Sequence, residues 1–300
     1  MSELENLISD CEKYITRNGI DENIINTYCD VCQLAKDEKK TDLMLKCTDR
    51  TKELINKYCT DPKQFNGKDI WEVEKVVQDS GSELPLLNQF YDVLKLESYY
   101  NFESFMLYME RKRNWTKRFY FPRRKTLNVV VKDLEDLEKR IIKFYGLSMP
   151  SRVGKSTICI FFLAWVSLRR PNSHSAMGGH SGILAKGFYK ELMNLFTTEE
   201  YTFSELFYFW NPEYENKPLV TDKSADEFTI TLGNPDRFAT VTCRGIDGTW
   251  TGAVDVSKDG YLYVDDLVRD REHSLSPTRM ENTYQEYLNK MPGRNSWPPD

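Results

Sequence analysis

The sequence predicts an α/β fold: a mainly parallel central sheet flanked by helices, preceded by a helical region over residues 1–110. Three observations predict it. First, "ELENLISDCEKYI", "NIINTYCDVCQLA" and "TDLMLKCTDRTKELINKY" set apolar residues three and four apart, the spacing of one buried helix face. Second, from residue 111 onward helical patterns alternate with short apolar runs, the pattern of strands laid side by side through helical crossovers. Third, a glycine- and lysine-bearing loop joins one such run to an apolar helix.

In chain order, "DPKQFNGKD" reads as a loop, and helix resumes up to "NFESFMLYMERKR". The second region, 111–300, starts with the helix "VKDLEDLEKR" and the strand "IIKFYGLS". The loop follows, then an apolar helix over 156–168, stopped at Pro171. "NSHSAMG" predicts a second strand and "SGILAKGFYKELMNLF" an amphipathic helix. "EFTITLGNPDRFATVTC" alternates on both sides of Gly233, Asn234, Pro235 and Asp236 and predicts a β-hairpin. The glycine-rich "RGIDGTWTGAVDV" leads to a strand in "YLYVDD", and "PTRMENTYQEYLNKM" is the last predicted helix.

Composition narrows the function classes. Among 300 residues, Lys and Arg number 41 against 46 Asp and Glu, a net charge of −5. A chain coated in nucleic acid is excluded, and any DNA contact needs a local basic patch. Seven cysteines in a chain this long make no disulfide framework and predict a reduced, intracellular setting. The charged N-terminus lacks a secretory apolar run. The longest apolar stretch, 158–168, is far shorter than the ~20 residues of a bilayer span, so no membrane association is expected.

"SMPSRVGKST", residues 148–157, approaches the phosphate-binding pattern G-x-x-x-x-G-K-[ST], with Met149 where the first glycine belongs. The chemistry needs exposed backbone N–H groups at a helix start, a lysine and a hydroxyl. Ser151, Arg152, Val153, Gly154, Lys155, Ser156 and Thr157 supply them. Lys155 is placed to reach the β- and γ-phosphates of ATP, and Ser156 to offer its hydroxyl to Mg²⁺. The missing glycine serves backbone shape, which Pro150 partly fixes through its locked φ. Downstream, "YLYVDD" is an apolar run ending in Asp265 and Asp266. Asp265 would hold Mg²⁺ and Asp266 would orient the attacking water. Strand alternation puts the two on opposite faces if the strand stays regular there, whereas Asp266 begins the loop and can swing toward the attacking water. Loop and acidic pair in this order define a P-loop NTPase with ATP and Mg²⁺ as cofactors.

The ordered set "MPSRVGKS", Arg244–Gly245–Ile246–Asp247–Gly248–Thr249–Trp250–Thr251–Gly252 and "VDDLVRD" resembles the large terminase subunit of tailed bacteriophages, the DNA-packaging ATPase. The likeness covers roughly residues 115–295. It implies an ATPase motor that drives double-stranded viral DNA into a procapsid, with Asp266, Lys155 and Arg152 catalytic. Arg152 would reach the γ-phosphate from within its own subunit. Asp266 stands where many relatives carry Glu, one methylene longer. The implied partners are double-stranded DNA, a small terminase subunit, a portal protein and further copies in a ring. The implied location is the cytoplasm of the infected bacterial host. Relatives continue into a carboxylate-rich nuclease domain, and this sequence reads as the ATPase portion without it.

Two features admit several readings. "RKRNWTKRFYFPRRK", 111–125, holds eight basic residues interleaved with Trp115, Phe119, Tyr120 and Phe121. It reads as a nucleic-acid contact, as a charged linker covering apolar surface, or, in line with the resemblance, as an adenine holder through Tyr120 with Arg123 or Arg124. Arg244 is a candidate arginine finger for a neighbouring subunit, or a structural arginine or a DNA contact. His174, His180 and His273 lack metal-ligand spacing. Two rival functions stay open: a helicase-like or other P-loop ATPase acting on nucleic acid, and a nucleotide-binding assembly protein without hydrolysis.

Overall fold

The structure is a computed structural model that describes residues 3–150, 152–233, 237–250, 253–269 and 271–291. The chain divides into two compact units, Met1–Lys125 and Thr126–Asp300.

The first unit is helical, as its periodicity predicts: α1 (Glu3–Asn18), α2 (Glu22–Asp37), α3 (Thr41–Thr60), α4 (Pro62–Phe65), α5 (Ile70–Ser80), α6 (Pro85–Glu97) and α7 (Phe102–Met109). The short α4 lies within the stretch expected to be loop. Asp21 caps α2 by accepting from the Ile24 N–H, and Asp69 and Glu72 form a reciprocal capping box on α5. The apolar faces meet in one core: Ile25, Tyr28 and Val31 of α2, Leu54 and Ile55 of α3, Val93 and Leu94 of α6, and Phe102 and Phe105 of α7 are all buried. Cys32, Cys47 and Cys59 are buried with them as small apolar groups.

The basic stretch 111–125 packs inside this unit. Glu110, itself buried, accepts the backbone N–H groups of Phe119 and Tyr120 at 2.6 and 2.8 Å. Burial raises the Glu110 pKa, against the pull of those two N–H groups and of Arg113 and Arg118. Arg118 is buried in a two-pronged ion pair with Glu74, at 3.0 and 2.7 Å, and also donates to the carbonyls of Arg113 and Arg111. Arg113 pairs with Glu110 and Arg124 with Glu103. Most of the guanidinium groups of this run are therefore engaged in holding the helical unit together, with the lysines Lys112, Lys117 and Lys125 exposed.

The second unit contains α9 (Lys155–Arg169), β1 (Ser175–Gly179), α10 (Gly182–Thr197), α11 (Phe203–Trp210), β2 (Val220–Ser224), β3 (Thr229–Leu232), β4 (Val241–Gly245), β5 (Leu262–Val264), α12 (Arg271–Ser274) and α13 (Pro277–Lys290). The helix α8 (Arg124–Glu138) leads into it. Residues 158–168 of α9 are buried all round, which explains a helix with almost no polar face. Glu138, at the end of α8, is buried and accepts from Arg169, Arg170 and the Tyr261 hydroxyl, each at 2.7 Å.

The sheet corrects the expected fold. Its order is β2-β3-β4-β1-β5. β1 runs parallel to β4 and β5, whereas β3 is antiparallel to both β2 and β4. The sheet is mixed and small, and the mainly parallel central sheet of a P-loop NTPase is not present. Two causes account for this. The chain from Val220 to Gly245 folds as a meander of adjacent strands rather than through helical crossovers. Its β3–β4 hairpin matches the predicted one, though the turn residues 234–236 lie outside the described residues. In addition, the strand expected over 141–148 does not form. Arg140, in the left-handed region at φ 61°, ends the turn after α8, and Ile141 and Phe144 stand 67% and 72% exposed. Apolar content without a ladder partner does not make a strand.

Candidate functional site

The C-terminal ends of β4, β1 and β5 point the same way, because these three strands are parallel. The N-termini of α9 and α10 lie at that edge. α10 begins directly after β1, with Ser181 as its cap, donor-side up: the Leu184 N–H bonds to the Ser181 hydroxyl. Gly245, ending β4, backs straight onto this helix start; a Cβ there would lie 2.5 Å from the Gly182 nitrogen, so only glycine allows the approach. α9 begins at Gly154, whose φ of 105° suits glycine and leaves the first N–H groups of the helix without a side-chain cap. Arg152 is also left-handed, at φ 66°, and exposed. The loop before α9 thus has the tight, uncapped shape that an anion-binding helix start needs.

Four predicted residues converge. The Lys155 ammonium lies 2.9 Å from one carboxylate oxygen of Asp265 and 3.0 Å from one of Asp266. The Ser156 hydroxyl donates a short hydrogen bond to the other oxygen of Asp265. Asp265 is 3% exposed and Asp266 66% exposed in their side chains. A buried carboxylate demands such partners. Burial opposes the charge on Lys155, but the hydrogen bonds to Asp265 and Asp266 outweigh it and raise its pKa. The ammonium stays charged at any physiological pH.

The strand does not stay regular through the acidic pair, so the two aspartates are not divided onto opposite faces. The ladder continues through the Asp265 N–H, which bonds to the Gly178 carbonyl at 2.8 Å. The chain then turns: Asp266 has φ 41°, and its carboxylate swings back to the Lys155 side. Alternation holds only while the backbone stays extended.

Tyr263 shares the Asp265 face of β5, and Cys159 lies one helical turn past Ser156. Burial pushes the Cys159 thiol up to about 12, and burial followed by the nearby Cys159 and Asp265 pushes the Tyr263 phenol far above its usual range. Both remain protonated, and Cys159 is no nucleophile.

The remaining predicted residues divide as follows. Val153, Gly154 and Thr157 are half-buried around the loop. Ser151 lies outside the described residues, as do Thr251 and Gly252. Arg244 belongs to the sheet face opposite Asp265: it is in register with Gly178, which is in register with Val264, so all three share the other face. Tyr120, Arg123 and Arg124 belong to the first unit. Tyr120 is fully buried with its hydroxyl donating to Glu103, which leaves no ring face for a base. Arg124 pairs with Glu103, and Arg123 donates to the Phe119 carbonyl.

One residue at this edge escaped the sequence reading. His180, immediately after β1, has its Nδ1 3.0 Å from the Asp266 carbonyl oxygen. Its signal was positional: the first residue past a strand that ends beside the acidic pair. Spacing among histidines does not reveal it.

No family model, curated protein or solved structure matches this chain. Among the described residues, no helix is long and apolar enough to cross a membrane.

Proposed function

We propose that the chain is a Mg²⁺-dependent ATP hydrolase whose site is the Lys155–Ser156–Asp265–Asp266 cluster at the start of α9. The observation that supports this best is the double contact of Lys155 with both aspartates while Ser156 engages the buried one. A lysine, a hydroxyl and two carboxylates then surround a helix start that attracts phosphate.

The donor set fits Mg²⁺, which takes one or two carboxylates together with substrate phosphates and water. Ser156 and Asp265 would hold it. When bound, the ion neutralises charge on the phosphates and lowers the barrier to their transfer. Lys155 exchanges its aspartates for phosphate oxygens, and the N–H groups after Gly154 orient the phosphate chain. Asp266, exposed and at the edge of the cluster, accepts the proton of the attacking water. Arg152, exposed on the loop, stabilises charge developing on the γ-phosphate.

The resemblance to large terminase subunits supports a specific use of this hydrolysis: translocation of double-stranded DNA into a procapsid by a ring of copies, with a small terminase subunit and a portal protein. The exchange of an extended strand for the open 141–148 segment makes this chain unlike that family's expected sheet, so the ATPase reading rests on the cluster and not on the fold.

The test is phosphate release from ATP with Mg²⁺. Lys155→Ala is expected to lose hydrolysis while its circular dichroism matches the parent. A variant that turns over ATP at the parental rate would sink the assignment. Nucleotide bound without phosphate release in the parent would favour an assembly protein instead.

A further inference from the structure

Asp266 presents a problem that the cluster alone does not solve. Its side chain is mostly exposed, and it sits just past the last residue of a three-residue edge strand. An exposed carboxylate on a loose strand end samples many rotamers, and a general base needs a fixed one. Yet the Asp266 carboxylate meets Lys155 at 3.0 Å from a backbone at φ 41°, a conformation that a non-glycine residue holds at a cost.

His180 supplies the restraint. A carbonyl oxygen only accepts, so the Nδ1 of His180 must carry the proton and donate to the Asp266 carbonyl. His180 is itself held on both sides. Before it, Gly179 is paired with Gly245, and its carbonyl accepts from the Ile246 N–H at 2.7 Å. After it, Ser181 caps α10. The imidazole is therefore mounted between a paired strand and a helix start, and its Nδ1 hydrogen bond reaches the turn that aims Asp266.

We propose that His180 is a positioning residue for the candidate base: its Nδ1–H pins the left-handed turn at Asp266 and so holds the Asp266 carboxylate at Lys155 and at the water to be activated. The proposal rests on the ATP hydrolase reading for its consequence and on the hydrogen bond for its geometry. It goes beyond that reading by assigning a part to the end of β1 and to a residue with no motif.

Two variants separate positioning from other roles. His180→Ala removes the donor. His180→Asn keeps one, since the asparagine amide nitrogen stands close to where the imidazole Nδ1 does. For His180→Ala, kcat is expected to fall by about 10²-fold, the scale of a misplaced catalytic group, with KM for ATP changed far less. His180→Asn is expected to recover most of the rate. An imidazole acting as acid or base would leave both variants equally slow, and that result overturns the proposal, as does a parental rate for His180→Ala. Crystal structures of both variants give a reading that does not depend on turnover. Asp266 should stay within hydrogen-bond distance of Lys155 in His180→Asn and leave it in His180→Ala; an unmoved Asp266 in His180→Ala refutes the proposal. If the parent shows no Lys155-dependent hydrolysis, the ATPase reading fails by itself, and the two structures still decide whether His180 aims Asp266.

Discussion

The two units use the same ion-pair chemistry to opposite ends. In the helical unit, Arg118 with Glu74, Lys52 with Glu97 and Arg124 with Glu103 join elements far apart in sequence, and at least one partner of the first two pairs is buried. Backbone around these pairs is ordinary helix and turn. In the second unit, Lys155, Asp265 and Asp266 meet at a helix start, beside left-handed Arg152, Gly154 and Asp266. The difference teaches how to read a charge cluster. Pairs that satisfy each other inside a core are cement. Pairs that gather at an edge, with strained backbone and half the groups open to solvent, are poised for a ligand.

The largest expected effect tests the first half of that comparison. Arg118→Met leaves the Glu74 carboxylate buried without its cation, which typically costs ~3–5 kcal/mol. Replacing both, Glu74→Leu with Arg118→Met, should recover much of the loss, because an apolar pair of similar volume needs no desolvation. Urea denaturation of the three proteins measures this. A loss under ~1 kcal/mol for Arg118→Met would mean the pair is not cement, and would return the basic run 111–125 to consideration as a nucleic-acid surface.

That run shows what sequence carries and what it omits. The alternation of basic and aromatic residues was plain, but it fits three roles, and only the positions of Glu74, Glu103 and Glu110 choose among them. The helices of the first unit were legible because a 3.6-residue period is complete within one element. Lys155, Ser156, Asp265 and Asp266 were legible because the loop and the acidic pair each carry their chemistry in adjacent residues. The segment 141–148 misled because a strand needs a neighbour as well as apolar residues, and periodicity says nothing of neighbours. β2, "VTDKS", was too short and polar to signal, and its register shifts between Val220 and Asp222. The turn at Asp266 and the hydrogen bond from His180 depend on one dihedral angle and one contact across 86 residues, neither of which leaves a pattern.

The second half of the comparison is tested at the aspartates. Asp266→Asn is expected to bind ATP with Mg²⁺ nearly as the parent does and to hydrolyse it at least ~10²-fold more slowly, the usual loss for a positioned base. Being exposed, Asp266 should leave stability unchanged on replacement. Asp265→Asn should weaken both nucleotide binding and turnover, since Asp265 holds Ser156 and Lys155 together. Asp266→Glu should keep substantial activity. Nucleotide affinity, steady-state rates and urea midpoints on the three variants separate the roles. Parental turnover in Asp266→Asn would place the base elsewhere and break the contrast between cement and site.

The smallest expected effect is a difference in acid sensitivity. Among the described residues, the carboxylates whose pKa is lowered, Glu12, Asp21, Glu53 and Glu103, lie in the first unit. Glu12 is the clearest case. Hydrogen bonds from Arg50, at 2.8 and 2.9 Å, pull its pKa below the ordinary 4.5, against burial and with help from the Tyr28 hydroxyl. A carboxyl with a lower pKa in the folded state binds its proton more readily when unfolded. Its contribution is therefore fully present above the unfolded pKa and is lost as pH falls through the folded one. The Glu12 side chain is 42% exposed, so solvent screens the pair and the effect stays small. Thermal melts followed from about pH 5 to about pH 3 should show the parent losing stability progressively, with Asp92 and Glu110, raised by burial, drawing in the other direction. Glu12→Gln keeps the shape of the contact and removes its charge. It should lower Tm slightly near neutral pH and flatten the acid decline, because the group that loses its charge in that window is gone. A variant whose melts fall as steeply with acid as the parent's would show that the Glu12–Arg50 pair contributes nothing measurable, and that the helical unit draws its acid sensitivity from Asp21, Glu53 and Glu103.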